Sequence, residues 1–190
     1  MRTRAAPRLQ LFLALATESV LFLSLAWIWL GEAYTGLLLR LLSPLTPVSV
    51  DLQQHGHEIL FLAQSATGGT VRVGIHGMMI GSGLILTVSV LLAVPSLSPK
   101  VRLPLIALAI FTAVVAHLAG LYMLGQHIDS TFRHFAATRE LVEPQFSEFV
   151  NRKLTETPSL TRILSYLWLF IPSLIWLPPL LWHWWPRQQG

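Results

Sequence analysis

The sequence predicts an all-α transmembrane bundle: four membrane-spanning helices with a small extracytoplasmic β-hairpin and an outer helical segment, all in one integral membrane domain covering residues 1–190. Three observations predict it. Apolar residues make up 53% of the chain and charged residues 12%, about half the ~25% of an ordinary soluble domain. Four stretches reach the ~20 apolar residues that cross a ~30 Å hydrocarbon layer. The basic residues flank those stretches instead of forming a polar surface, so the formal charge of +4 reads as membrane anchoring and not as nucleic-acid binding.

The first span covers residues 9–30 and holds one ionisable group, Glu18. Its basic start, MRTRAAPR, has the character of a signal-peptide n-region, but the apolar run exceeds the ~7–15 residues of a cleaved h-region. Gly31-Glu32-Ala33 is also a poor cleavage site, so the segment reads as an uncleaved anchor. Residues 34–42 follow as an interfacial helix, ended by Pro44 and Pro47. Val48, Val50 and Leu52 then alternate with polar residues, and Val71, Val73 and Ile75 alternate with Arg72 and Gly74, the period of a half-buried strand. With the β-prone run 58–63 and the turn-rich link 65–69, this predicts a hairpin of 57–64 with 70–76.

The hairpin leads into a second span, 76–95, and a short basic loop with Lys100 and Arg102 leads into a third, 103–124. The outer segment 126–161 reads as helix, with Asp129 and Ser130 as caps, Phe132, Phe135 and Leu141 as an apolar stripe, and Pro144 as an interruption. The fourth span, 163–185, is kinked by Pro172, Pro178 and Pro179. The outer segments are therefore 31–75 and 126–161. With the N-terminus inside, the cytoplasmic segments hold Arg2, Arg4, Arg8, Lys100, Arg102 and Arg187 and no acid. The lysine and arginine bias of short loops sets topology, so both termini are expected in the cytoplasm of a multi-pass protein. Trp27, Trp29 and Tyr34 fit an outer aromatic belt, and Trp182, Trp184 and Trp185 an inner one.

Few residues carry candidate chemistry. Gly77 and Gly81 form a small-xxx-small pair, and Ala109, Ala113, Ala116 and Gly120 recur at helical spacing, which predicts close packing of spans two and three. Glu18 is a carboxyl inside a span, where a charge costs ~2.5–3.5 kcal/mol. It is a functional candidate, or is hydrogen-bonded to Thr17, Ser19, His117 or His183. His117 lies ~12 Å deep at the helical rise and has no mate at the same depth for a bis-histidine haem. His76 sits at the mouth of span two, His55 and His57 in an exposed loop, and His127 and His134 seven residues apart. Arg133, His134, Arg139 and Glu140 read as a solvated helix face. The chain has no cysteine, which excludes disulfides, thiolate metal sites and cysteine nucleophiles. No metal or other cofactor is expected.

The segment GGTVRVGIHGMMIGSGLILTVSVLLAVP, an outer strand running into a Gly-Ser-Gly-Leu membrane helix, resembles the exosortase/archaeosortase family over roughly residues 45–135. Those are polytopic, transpeptidase-like proteins that process C-terminal sorting signals at the outer membrane face. Their nucleophile lies in a Cys-Ser-Gly motif. Here Gly81 stands in the cysteine's place, followed by Ser82 and Gly83; His117 and Gly120 stand near the family's Asn and Arg positions, and His134 near its histidine. Glycine has no nucleophilic side chain, and Ser82 points ~100° away around the helix. The resemblance therefore implies a non-catalytic relative: an accessory component of a C-terminal protein-sorting or export system in the bacterial cytoplasmic (inner) membrane. Its partners would be membrane lipid and a sorting enzyme or the membrane tail of that enzyme's substrate. Two other expectations stand beside it: a structural subunit of a larger membrane assembly, and a small carrier using Glu18 and His117.

Overall fold

No proline follows Pro7 until Pro44, and a proline in the first turn of a helix is tolerated. The apolar run that opens the chain therefore stays helical without a break. The computed structural model describes residues 5–64, 70–95 and 97–138. In it α1 runs from Ala5 to Leu42, about 57 Å at 1.5 Å per residue. The expected separate interfacial helix at 34–42 is its continuation. A single 3₁₀ turn, Ser43–Leu45, takes the chain out of α1 at Pro44.

Three antiparallel strands follow: β1 (Val50–His55), β2 (Glu58–Gln64) and β3 (Thr70–His76), in the order β1-β2-β3. The expected hairpin is thus the β2–β3 pair, and β1 widens it to a meander. Gly56, at φ +58°, closes the two-residue connection between β1 and β2, where positive φ matches the twist of the strands. The register puts Leu52, Phe61 and Val73 in one row, and Gln54, Ile59 and Ile75 in the next. This face meets Leu38 and Leu42 of α1 and forms the largest apolar core among the described residues. Asp51, Gln53, His55 and Arg72 lie on the opposite face, exposed.

α2 (Gly77–Ala93) starts directly after β3, and α3 runs from Pro99 to Thr138. α3 has 40 residues, about 60 Å. It passes straight through the point where a new helix was expected to start. Ser130 Oγ donates to His127 O (2.9 Å) within the helix, and Asp129 accepts from Ser49 instead of capping. Leu121, Leu124 and Ile128 of α3 share the sheet core with the C-terminal end of α1. The two long helices therefore run parallel. α2 returns between them in the opposite sense, from Ile80 in the sheet core to Leu91, which packs with Leu97 and Ala109 at the far end. There Arg102 Nη2 donates to Val94 O (2.8 Å) and Leu97 O (3.0 Å), satisfying carbonyls just beyond the end of α2.

The described residues do not form the expected four-span architecture. Among the described residues, two helices are long and apolar enough to cross a membrane, Gln10–Leu45 and Pro99–Ser130. α2 has 17 residues, about 25 Å, shorter than the ~20 of an ordinary crossing helix. The sequence run looked longer because β3 and α2 are both apolar and abut: His76 still belongs to the sheet, and the helix stops two residues before Pro95, as the bias against helix before proline favours. The expected fourth span, 163–185, and the outer segment beyond residue 138 lie outside the described residues, as does the link 65–69. The two long helices are little covered: 6% of the most apolar window of the first and 28% of that of the second is buried, unlike a core helix of a soluble domain.

Phe61 is wholly buried at the centre of the sheet core. Phe61→Ala is expected to cost ~3–5 kcal/mol, read as a lower denaturation midpoint in detergent. Gln53→Ala on the exposed face should stay within ~0.5 kcal/mol of the parent.

Candidate functional site

The three helices meet at an aromatic junction below the sheet. Trp27 and Tyr34 are seven residues apart on α1, two turns along one stripe. Trp27 is 6% exposed, so it is not the surface aromatic that a belt requires, whereas Trp29 is 74% exposed. Its indole lies in a slot that two glycines leave open. A β-carbon at Gly31 would come within 2.8 Å of Trp27 Nε1, and one at Gly81 would overlap the ring itself, well inside 3.0 Å. Leu84, Ile85 and Ala113 complete the packing around the indole.

Tyr34 continues the stack. Its ring centroid is 5.3 Å from that of Trp27 with the planes at 58°, and 5.8 Å from that of His117 in an edge-on arrangement at 86°. The Tyr34 hydroxyl and His117 Nδ1 are joined by a 2.6 Å hydrogen bond. His117 is wholly buried, so α3 is tied to α1 by a polar contact inside an apolar layer, where such a bond weighs more than in water. Trp27 Nε1 is buried with no hydrogen-bond partner among the described residues.

A second joint fixes the sheet on the bundle. The Gly77 N–H donates to His57 O at 2.7 Å, and a β-carbon there would sit 2.6 Å from that oxygen and 3.0 Å from Thr35 Cγ2. Gln54 Nε2 donates to Glu32 O (2.9 Å), Thr35 Oγ1 (3.1 Å) and Gly56 O (3.0 Å), docking the β1–β2 turn on α1. Across the sheet core, the carboxylate of buried Asp129 accepts from Ser49 Oγ and from Arg133 Nε (3.0 Å), tying the approach to β1 to α3.

The candidate residues from sequence thus divide. Gly77 and Gly81 do serve close approach, but toward α1 and the sheet, not toward α3. Ala113 is buried beside Trp27, and Gly120 is buried on α3. Ser82 donates its hydroxyl to Met79 O of its own helix (3.1 Å). Glu18 is exposed on α1. It lies 16 residues before Tyr34, about 24 Å along the helix, so the structure does not bring it to His117. His134 falls in the last turns of α3, with its side chain outside the description. His55 and His76 both pair across Glu58 on the outer sheet face, yet no group of three His, Cys, Asp or Glu among the described residues could hold a metal ion.

The sequence reading places Trp27 and Tyr34 in an aromatic belt and Asp129 in a cap, and assigns Gly31 and Ser49 no part in the packing. The Trp27-Gly31-Tyr34 spacing, aromatic and small residues on one helical stripe, was the signal available for those three. Comparison of the chain with protein families, with curated proteins and with solved structures finds no match.

Two substitutions test the junction. Gly81→Ala is expected to cost ~1–3 kcal/mol by overpacking, and this loss should vanish in a Trp27→Ala background, where the ring is gone; additive losses in the double variant would contradict the slot. Tyr34→Phe removes a hydrogen bond from a buried imidazole and is expected to cost ~1–3 kcal/mol, measured by the same unfolding experiment.

Proposed function

We propose that the protein is a non-catalytic membrane scaffold that holds a small sheet at the extracytoplasmic surface and there engages another membrane protein. In this reading α1 and α3 cross the bacterial cytoplasmic membrane in parallel, with their N-terminal ends inside, and α2, at the short end of the ~17–25 residues that can cross, brings the chain back between them. The acids support that sense: the sheet-distal end of the helices carries Arg8, Lys100 and Arg102 and no acid, whereas Glu32, Asp51, Glu58 and Asp129 lie toward the sheet with Arg40, Arg72 and Arg133. Short basic segments stay cytoplasmic.

The observation that carries the non-catalytic reading is the filled slot at Gly81. At the position where the resembling family has its nucleophile, the space is occupied by the Trp27 indole. A substrate carbonyl has no room there, and the adjacent Ser82 hydroxyl is held by its own backbone. The layout resemblance then names the partner: a C-terminal sorting enzyme, or the membrane tail of its substrate. The carrier reading loses its pair, since Glu18 and His117 sit far apart along the bundle.

The absence of native cysteine makes the topology directly measurable. A Gln53→Cys variant is expected to react with a membrane-impermeant maleimide in intact cells, and a Lys100→Cys variant only after the cells are opened. The opposite pattern would reverse the orientation. Recovery of the chain without detergent would remove the membrane reading. Affinity capture from detergent-solubilised membranes should bring down a sorting protease; an unchanged cell-surface proteome after deletion would dismiss the sorting role.

A further inference from the structure

Glu18 lies near the middle of the apolar part of α1, and its side chain is exposed. A carboxyl facing hydrocarbon at that depth is costly, and ionisable residues inside spans almost always pair with another group. Glu18 makes no hydrogen bond or ion pair with the described residues, and the neighbouring Thr17 hydroxyl donates back to Leu13 O (2.9 Å). The pairing group is therefore not in the described bundle.

The surface around Glu18 has a period. Leu11, Ala14, Glu18, Leu21, Leu25 and Ile28 follow one another at alternating steps of three and four residues, and all six are exposed. That is the 3.5-residue repeat of a seam between two helices crossing at a shallow angle. Glu18 occupies one of its core positions, where a single polar residue fixes register and oligomeric state. Ala14, one turn away, lets two backbones approach.

The chemistry selects the occupant. A carboxylic acid presents an O–H donor beside an acceptor oxygen, so two of them related by a two-fold axis satisfy each other without a third group. A two-fold interface uses the same patch on both copies, and the repeat supplies one. We propose that α1 pairs in parallel with α1 of a second copy of this chain along this seam, with the two Glu18 carboxyl groups hydrogen-bonded to each other. The inference rests on α1 lying in the bilayer, as in the function proposed above.

The test uses the full-length protein in native membranes, with single cysteines at Leu21 and Leu25 on the seam, at Leu13 (exposed but off it) and at Leu23 (toward the bundle). Oxidation is expected to give a disulfide-linked dimer, twice 21.2 kDa, for Leu21→Cys and Leu25→Cys and not for the other two. In the Leu21→Cys background, Glu18→Gln, whose amide also pairs with itself, should keep the product, and Glu18→Leu should lower dimer formation roughly tenfold, the size of one interhelical hydrogen bond. Monomer at all four positions, equal linking on and off the seam, an adduct with a different protein, or no effect of Glu18→Leu would each overturn the pairing. Alkaline washing of the same membranes separates the two readings: protein that stays in the membrane but does not link defeats only the seam, whereas protein washed free defeats the membrane reading as well.

Discussion

The structure depends on one close approach, that of α1 to α2 at Gly81. The Trp27 indole fills the volume a side chain at that position would take, and Gly31 clears the other side of the ring. In the lipid setting proposed above, apolar burial gives helices no advantage over contact with acyl chains, so association rests on such packing and on interhelical hydrogen bonds. The slot supplies the first and the Tyr34–His117 bond the second, two turns of α1 apart. Together they tie α2 and α3 to α1 over two turns, at the level just below the sheet.

The sheet inherits its position from that level. β3 runs into α2 without a linker, and the Gly77 N–H closes on the turn between β1 and β2. A displacement of α2 relative to α1 is therefore a displacement of the whole meander. Gln54 and the Ser49–Asp129 contact pin the same sheet to α1 and α3, so the exposed row of Asp51, Gln53 and His55 is presented from a fixed base. The internal polar groups are engaged in holding the helices and the sheet together.

Much of this was legible in the residues, and the failures share a cause. Alternation at Val71, Val73 and Ile75 located β3, and the apolar runs located α1 and α3, because each period differs from its surroundings. Where two apolar elements abut, as β3 and α2 do at His76–Gly77, composition is continuous and the boundary is invisible, so the sequence reads as one full span there. Val48, Val50 and Leu52 alternate with the strand period, but polar Gln53, Gln54 and His55 carry it no further, so the expected hairpin joins only β2 and β3 and leaves β1 out. Asp129-Ser130 has the chemistry of a helix start, but nothing in the preceding residues stops α3, so the helix continues. Trp27 fitted a membrane-interface belt on position alone. Its burial becomes visible only with Gly31 and Gly81 in view, and these come from two different helices. Glu18 was identified as anomalous from the sequence, yet its place on the outer surface of α1 is a fact of packing that no local pattern contains.

The most direct measurement of the Gly81 slot is the reactivity of a thiol placed in it. In a protein with no other cysteine, Gly81→Cys puts a side chain where the indole stands. The packed junction predicts a destabilised protein whose thiol resists alkylation until denaturant is added. A variant that keeps the parent's stability and reacts promptly in the folded state would show open space at position 81 and contradict the junction on which the bundle is built.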